Sequence, residues 1–149
     1  MAISKVGIIG TGAMGLGIAQ TCAQAGKEVV AMKATPGPVD KPRSTFLGRI
    51  TLTANDDDVA DCQLVIESII EDLAKKKQLF QRLESICPET TLLTTNTSTL
   101  SVTSMMAVCK TRARVAGLHF FNPATVMTLV EIIHAFETSE ETLAALDAF

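Results

Sequence analysis

Apolar and polar positions along this chain fall into two periods. Lys5–Ile9 is a short apolar run, residues 13–25 repeat small and apolar side chains at helical spacing, and Glu28–Met32 is a second apolar run. The alternation predicts strand, helix, strand, which is one βαβ unit. Pro36, Gly37, Pro38 and Pro42 then interrupt the rhythm, so an irregular loop is expected over residues 34–45. Beyond it the pattern predicts a strand at Arg49–Thr53, a turn of helix through Asp56–Ala60 and a continuous apolar strand at Leu64–Ile70. Leu73–Ile86 sets Leu73, Phe80 and Leu83 on one helical stripe and leaves Lys75, Lys76 and Lys77 mostly solvated. Further strands are expected at Thr91–Thr95 and Val115–Phe121, a helix from near Leu100, a returning strand at Val126–Ile133 and a last helix at Glu140–Phe149. Strands alternating with helices predict an α/β fold with a doubly wound, mostly parallel sheet whose ligands bind at the carboxyl ends of the strands.

Composition mainly excludes. A chain of 149 residues, 47% hydrophobic, can bury one ordinary core, and a single domain over residues 1–149 is expected. The net charge of −3 leaves no basic face for a nucleic-acid backbone. Cys22, Cys62, Cys87 and Cys109 are widely spaced, with no histidine at ligand spacing, so they read as buried thiols in a reducing compartment, not as a disulfide or metal framework. Residues 6–26 carry no charge, and Ala23-Gln24-Ala25 resembles a cleavage site. Five glycines from Gly7 to Gly17, with Gln20, Thr21 and Gln24 on the apolar face, argue against a membrane span or an export signal. The expected location is the cytoplasm, with an organelle matrix as the alternative.

The chemistry begins at Gly10-Thr11-Gly12-Ala13-Met14-Gly15, a G-x-G-x-x-G between a strand and a helix. Gly10 suits the tight turn, Gly12 the approach of a pyrophosphate and Gly15 close packing of helix on strand, which together predict a Rossmann-type dinucleotide site. Such a site normally carries a carboxylate at the end of its second strand, and Lys33 stands there. A cation favours a 2′-phosphate, so NADP is conceivable, with Thr35 nearby. Further on, His119 follows an apolar strand, and Glu131 lies as far after Thr125 as His119 lies before it. If the chain reverses near residues 123–126, the two side chains meet as opposed residues on returning strands. A carboxylate on one ring nitrogen fixes the tautomer and leaves the other as a base, with an ordinary pKa of about 6.5. The plain alternative is a satisfied core histidine.

The stretches GTGAMG (10–15), DCQLVIESIIEDLAKKKQLF (61–80), TNTSTLS (95–101) and GLHFFNPATVMTLVEI (117–132) resemble, in order and spacing, the NAD-binding domain of the 3-hydroxyacyl-CoA dehydrogenase family. The resemblance covers nearly the whole chain except residues 33–48. It implies an oxidoreductase that interconverts 3-hydroxyacyl-CoA and 3-ketoacyl-CoA by hydride transfer with NAD, acyl-CoA being its partner molecule. It further implies His119 as catalytic base or acid, Glu131 as its orienting partner, Ser98 as a donor to the substrate oxygen, Asn122 as a support of the substrate site, and Glu71, Lys76 and Asn96 near the cofactor. NAD is favoured over NADP on the same ground. Simpler roles stand beside these: Ser98 or Asn96 as a cap of the helix near Leu100, and Lys76 as a solvated lysine. Three departures from the family pattern are visible: Lys33 for an acidic residue, an irregular stretch in place of a pair of helices after the second strand, and an end at Phe149 ahead of the helical C-terminal domain. They imply a homo-oligomer or a separate C-terminal domain as partner, and leave a non-catalytic dinucleotide-binding module as the alternative function. A dehydrogenase for small 3-hydroxy acids fits less well, because that family uses a lysine base in place of the HFFNP motif.

Overall fold

The computed structural model describes residues 2–33 and 48–149. The loop expected over residues 34–45 and Thr35 lie outside the described residues. In chain order the elements are β1 (Lys5–Ile9), α1 (Ala13–Gln24), β2 (Glu28–Met32), β3 (Ile50–Thr53), β4 (Leu64–Glu67), α2 (Leu73–Ile86), β5 (Leu92–Thr95), α3 (Val102–Met106), β6 (Val115–Phe120), β7 (Val130–Ile133) and α4 (Glu140–Asp147). Short 3-10 turns occupy Asp56–Val59 and Arg112–Arg114. The seven strands form one sheet in the order β3-β2-β1-β4-β5-β6-β7. All neighbours are parallel except β6 and β7. This is the doubly wound arrangement, in which the strand order reverses between β1 and β4 and opens a crevice at their carboxyl ends.

Each face of the sheet is covered because its strands are apolar on both sides. On one face Ile18, Ala19 and Cys22 of α1 and Leu146 of α4 pack on Val6, Ile8, Leu64, Ile66 and Leu118. On the other, Leu79, Phe80 and Leu83 of α2 and Met105 and Met106 of α3 pack on Ile9, Val65 and Leu93. Phe80 is fully buried, and burial of such a side chain contributes roughly 1.5–3 kcal/mol. All four cysteines are buried thiols. Burial pushes Cys22 and Cys62 up to about 12 and Cys87 and Cys109 up to about 11, which keeps them protonated and poorly nucleophilic. No helix among the described residues is long and apolar enough to cross a membrane.

Two strands are shorter than their apolar runs. β4 stops at Glu67 because its carboxylate folds back to accept the Ile69 N–H at 2.7 Å, and Ile70 is left 65% exposed. β7 begins only at Val130, since the Val126 and Met127 N–H groups both donate to the Pro123 carbonyl at 3.0 Å and hold residues 123–127 as a turn. The helix expected near Leu100 starts at Val102, where the Ser101 hydroxyl accepts the Ser104 N–H.

Candidate active site

The register aligns one row of residues across the sheet. Thr53, Met32, Ile9, Glu67, Thr95 and Gly117 stand side by side, each hydrogen-bonded strand to its neighbour. The chain just past this row supplies the site: Lys33 after β2, Gly10 after β1, Ser68 after β4 and Asn96 after β5.

Gly10 has φ +107°, and a Cβ there would overlap the Ser68 carbonyl, so only glycine fits. Its N–H donates to the Met32 carbonyl at 2.8 Å, which ties the turn to the end of β2. A Cβ at Gly15 would overlap the Gly10 carbonyl, so that glycine serves the close approach of α1 to its own turn. Gly12 differs, because a Cβ there would meet nothing within 4 Å. Nothing among the described residues requires glycine at this position. Gly12 caps α1 without a side-chain hydrogen bond, which leaves the first-turn N–H groups at Ala13 and Met14 for an incoming anion. Beside it opens a cavity of about 740 Å³ with Gly10, Thr11, Gly12 and Lys33 on one side and Ser68, Ile69, Ile70 and α2 on the other. The backbone donors, the space over Gly12 and the apolar Ile69–Ile70 wall fit a dinucleotide.

At the β6–β7 edge of the sheet, His119 and Glu131 face each other as a directly paired couple. Nδ1 of His119 lies 2.8 Å from Oε2 of Glu131. The ring also packs against Phe121 at 4.8 Å between centroids. With Nδ1 engaged, Nε2 is the ring atom left for chemistry. His119 keeps 17% of its side-chain surface exposed and Glu131 52%, so the pair is reachable from solvent. Since Thr95 pairs with Gly117, Ser98 and His119 stand three and two residues past matched positions on neighbouring parallel strands. Ser98 is exposed there, as is Asn122 in the turn after β6. Neither His119 nor Ser98 lines the cavity by the glycine turn.

Lys76 is not solvated, contrary to the expectation from its lysine-rich surroundings. It is 1% exposed and its ammonium lies 2.6 Å from Glu67 Oε1 and 3.2 Å from Glu71 Oε2. Glu67 is fully buried and also accepts the Thr95 hydroxyl at 2.6 Å. The Thr97 hydroxyl is bonded to the Glu71 carboxylate. Burial pushes Glu71 up, but the bonds from Thr97 and Lys76 and the Lys76 charge outweigh it and hold its carboxyl below the usual range. Lys75, in place of Lys76, is the α2 lysine that lines the cavity. Asn96 acts as a tie, its N–H donating to the Glu67 carbonyl and its Oδ1 accepting the Phe120 N–H, both at 2.8 Å. The capping role falls to Ser101 and to Thr97, whose hydroxyl accepts the Leu100 N–H at 3.1 Å, and not to Asn96 or Ser98. Glu67, Thr95 and Thr97 were not singled out from the sequence, although Lys76 carries a signal. It follows Leu73 by three and precedes Phe80 by four, which puts it on the buried stripe and calls for a buried partner.

Fold and site together define a dinucleotide-binding domain of the oxidoreductase type. The sequence family described as 3-hydroxyacyl-CoA dehydrogenase, NAD binding domain, matches residues 5–45 and 37–149, and the chain belongs to it. It is 36% identical to a 3-hydroxybutyryl-CoA dehydrogenase of Clostridioides difficile, over 93% of this chain and 57% of the relative. It is 39% identical to the 3-hydroxyadipyl-CoA dehydrogenase of Escherichia coli (strain K12), over 97% of this chain and 35% of the relative. Among solved structures, FadB2 of M. tuberculosis superposes with a TM-score of 0.91 at 34% identity, over all of this chain and 60% of that one. The chain thus spans about half the length, or less, of the curated relatives it matches, and corresponds to their N-terminal part. The two matched segments overlap at residues 37–45, where the continuous family pattern is interrupted.

Proposed function

We propose that the chain is the NAD-binding half of an oxidoreductase that interconverts 3-hydroxyacyl-CoA and 3-ketoacyl-CoA. The observation that carries this reading is the His119–Glu131 pair at 2.8 Å, set on strands of the same sheet whose β1–β4 crevice fits a dinucleotide. Bound NAD supplies the hydride acceptor for the carbinol carbon, and NADH the donor in reverse. His119 Nε2 takes the proton of the 3-hydroxyl as that carbon is oxidised, and Glu131 stabilises the imidazolium that results. In reduction the same proton goes back to the keto oxygen. The Ser98 hydroxyl donates to that oxygen and Asn122 holds the turn beside it. The relatives' names support the acyl-CoA substrate class: 3-hydroxybutyryl-CoA for one, 3-hydroxyadipyl-CoA for another.

Because the relatives are longer, the substrate is proposed to lie between this domain and the remainder of the protein. Positioning between two walls is worth about 7–11 kcal/mol when geometry is near attack. The test is acetoacetyl-CoA-dependent NADH oxidation by this chain, alone and with the C-terminal part of a relative added. The expected result is NADH binding with little turnover alone, turnover on addition, and loss of that turnover in His119→Ala. NADH binding with no turnover in either arrangement would contradict the proposal and favour a non-catalytic dinucleotide-binding module.

A further inference from the structure

Five residues from the ends of β4 and β5 and from the start of α2 close a ring of hydrogen bonds. The Lys76 ammonium donates to Glu67 Oε1 at 2.6 Å and lies 3.2 Å from Glu71 Oε2. Glu71 takes the Thr97 hydroxyl on its other oxygen. The Thr97 N–H donates to Thr95 Oγ1 at 3.2 Å, and the Thr95 hydroxyl returns to Glu67 Oε2 at 2.6 Å. Each member donates or accepts in a sense its chemistry allows, so all five bonds hold at once. Glu67, Lys76, Thr95 and Thr97 are buried, and Glu71 is the corner of the ring that reaches the surface.

The ring grips the loop after β5 as firmly as it grips α2. Ser98 directly follows Thr97 and is the first exposed residue of that loop. On the chain before Thr97, Asn96 donates its N–H to the Glu67 carbonyl and accepts the Phe120 N–H on Oδ1, both at 2.8 Å. Phe120 follows His119 on β6, so the loop of Ser98 is tied to the strand of His119 at the same place. Beyond Ser98, the Leu100 N–H donates to Thr97 Oγ1 at 3.1 Å. The chain is therefore held on both sides of Ser98. Apolar side chains of the same volume would serve stability about as well as a buried ion pair does. What the hydrogen bonds add is direction, since each one fixes an angle as well as a distance.

We propose that Thr97 and Thr95, through the ring they close on Glu67 and Glu71, are positioning residues for turnover: they fix the loop so that the Ser98 hydroxyl is presented to the substrate oxygen that exchanges its proton with His119. The proposal rests on the oxidoreductase reading above and gives a part in the reaction to buried residues that touch neither substrate nor cofactor.

The test is steady-state reduction of acetoacetyl-CoA by the chain with the C-terminal part of a relative added, beside NADH titration and thermal melting, for Thr97→Val and Thr97→Ser. Valine keeps the branched shape and removes the hydroxyl, whereas serine keeps the hydroxyl. Thr97→Val should lower kcat about tenfold to a hundredfold while the NADH dissociation constant moves by less than about threefold, and Thr97→Ser should hold kcat within about threefold of the unaltered chain. Thr95→Val opens the ring at its other hydroxyl and should give the same pattern, which keeps the test decisive if Thr97→Val does not fold. Because both hydroxyls act through one ring, the double variant should lose much less than the product of the two single losses. A folded valine variant with kcat within about twofold of the unaltered chain, or single losses that simply multiply in the double variant, would overturn the proposal and leave the reading of the reaction in place. Failure of both valine variants to fold, or a loss of NADH affinity as large as that of kcat, would assign the ring to folding alone and overturn it as well. NADH binding without turnover in the unaltered assembly would remove the reading of the reaction, and the proposal with it.

Discussion

At the scale of single residues, the account rests on His119 acting through Glu131. Replacing Glu131 by Gln keeps size and a hydrogen-bonding oxygen but removes the charge that fixes the ring and stabilises its protonated form. In the assembled enzyme kcat should fall by on the order of 10²–10⁴, with NADH affinity unchanged. Steady-state kinetics beside a binding titration checks this, and unaltered kcat would return His119 to the role of an ordinary packed histidine. The pair was legible in the sequence because both residues are equally distant from a turn that Pro123 announces, and strand reversal converts equal distance into contact. Glu67 was not legible. It sits in the run LVIESII beside Ser68 among apolar letters, and only the fold shows that three donors converge on it: Lys76, Thr95 and the Ile69 N–H.

At the scale of elements, α2 is held to the sheet by more than its apolar stripe. The Lys76–Glu67 pair is buried on both sides, and Glu71 joins it to Thr97 in the loop after β5. The pair thus fixes the end of β4, the start of α2 and the loop that carries Ser98 relative to one another. Lys76→Met leaves buried Glu67 without its cation and should cost about 3–5 kcal/mol in urea unfolding, whereas Glu67→Gln combined with Lys76→Met should cost less than the sum of the two single changes. A loss under about 1 kcal/mol for Lys76→Met would show that the pair contributes no such hold. The pH dependence has a definite sign. Glu71 is held below its ordinary value in the folded state, so its contribution is present above the carboxylate range and is lost as pH falls through it. Element type was readable almost everywhere from period. The ends of β4 and β7 were not, because local bonds that hydropathy does not register, from the Ile69 N–H to the Glu67 carboxylate and from the Val126 and Met127 N–H groups to the Pro123 carbonyl, stop strands that hydropathy alone would extend.

At the scale of the whole molecule, the doubly wound, mostly parallel sheet was anticipated by alternating elements and one glycine turn, while the strand order and the crevice between β1 and β4 come from the structure. Val126 (70% exposed) and Leu129 (55%) lie on the surface in the connection between β6 and β7, where apolar groups gain by being covered. The central claim is that the glycine turn is shaped for a dinucleotide and not for the protein's own packing, and Gly12 isolates it. Since a Cβ at Gly12 meets no atom of the described residues within 4 Å, Gly12→Val should fold with a stability loss of no more than about 1 kcal/mol, the cost of a poorer helix cap. A pyrophosphate approaching the same backbone would meet the new side chain. The decisive measurement is NADH titration of Gly12→Val beside the unaltered chain, with thermal melting of both. The account predicts matched melting and at least about a tenfold loss of NADH affinity. Equal affinity in a folded Gly12→Val protein would contradict it.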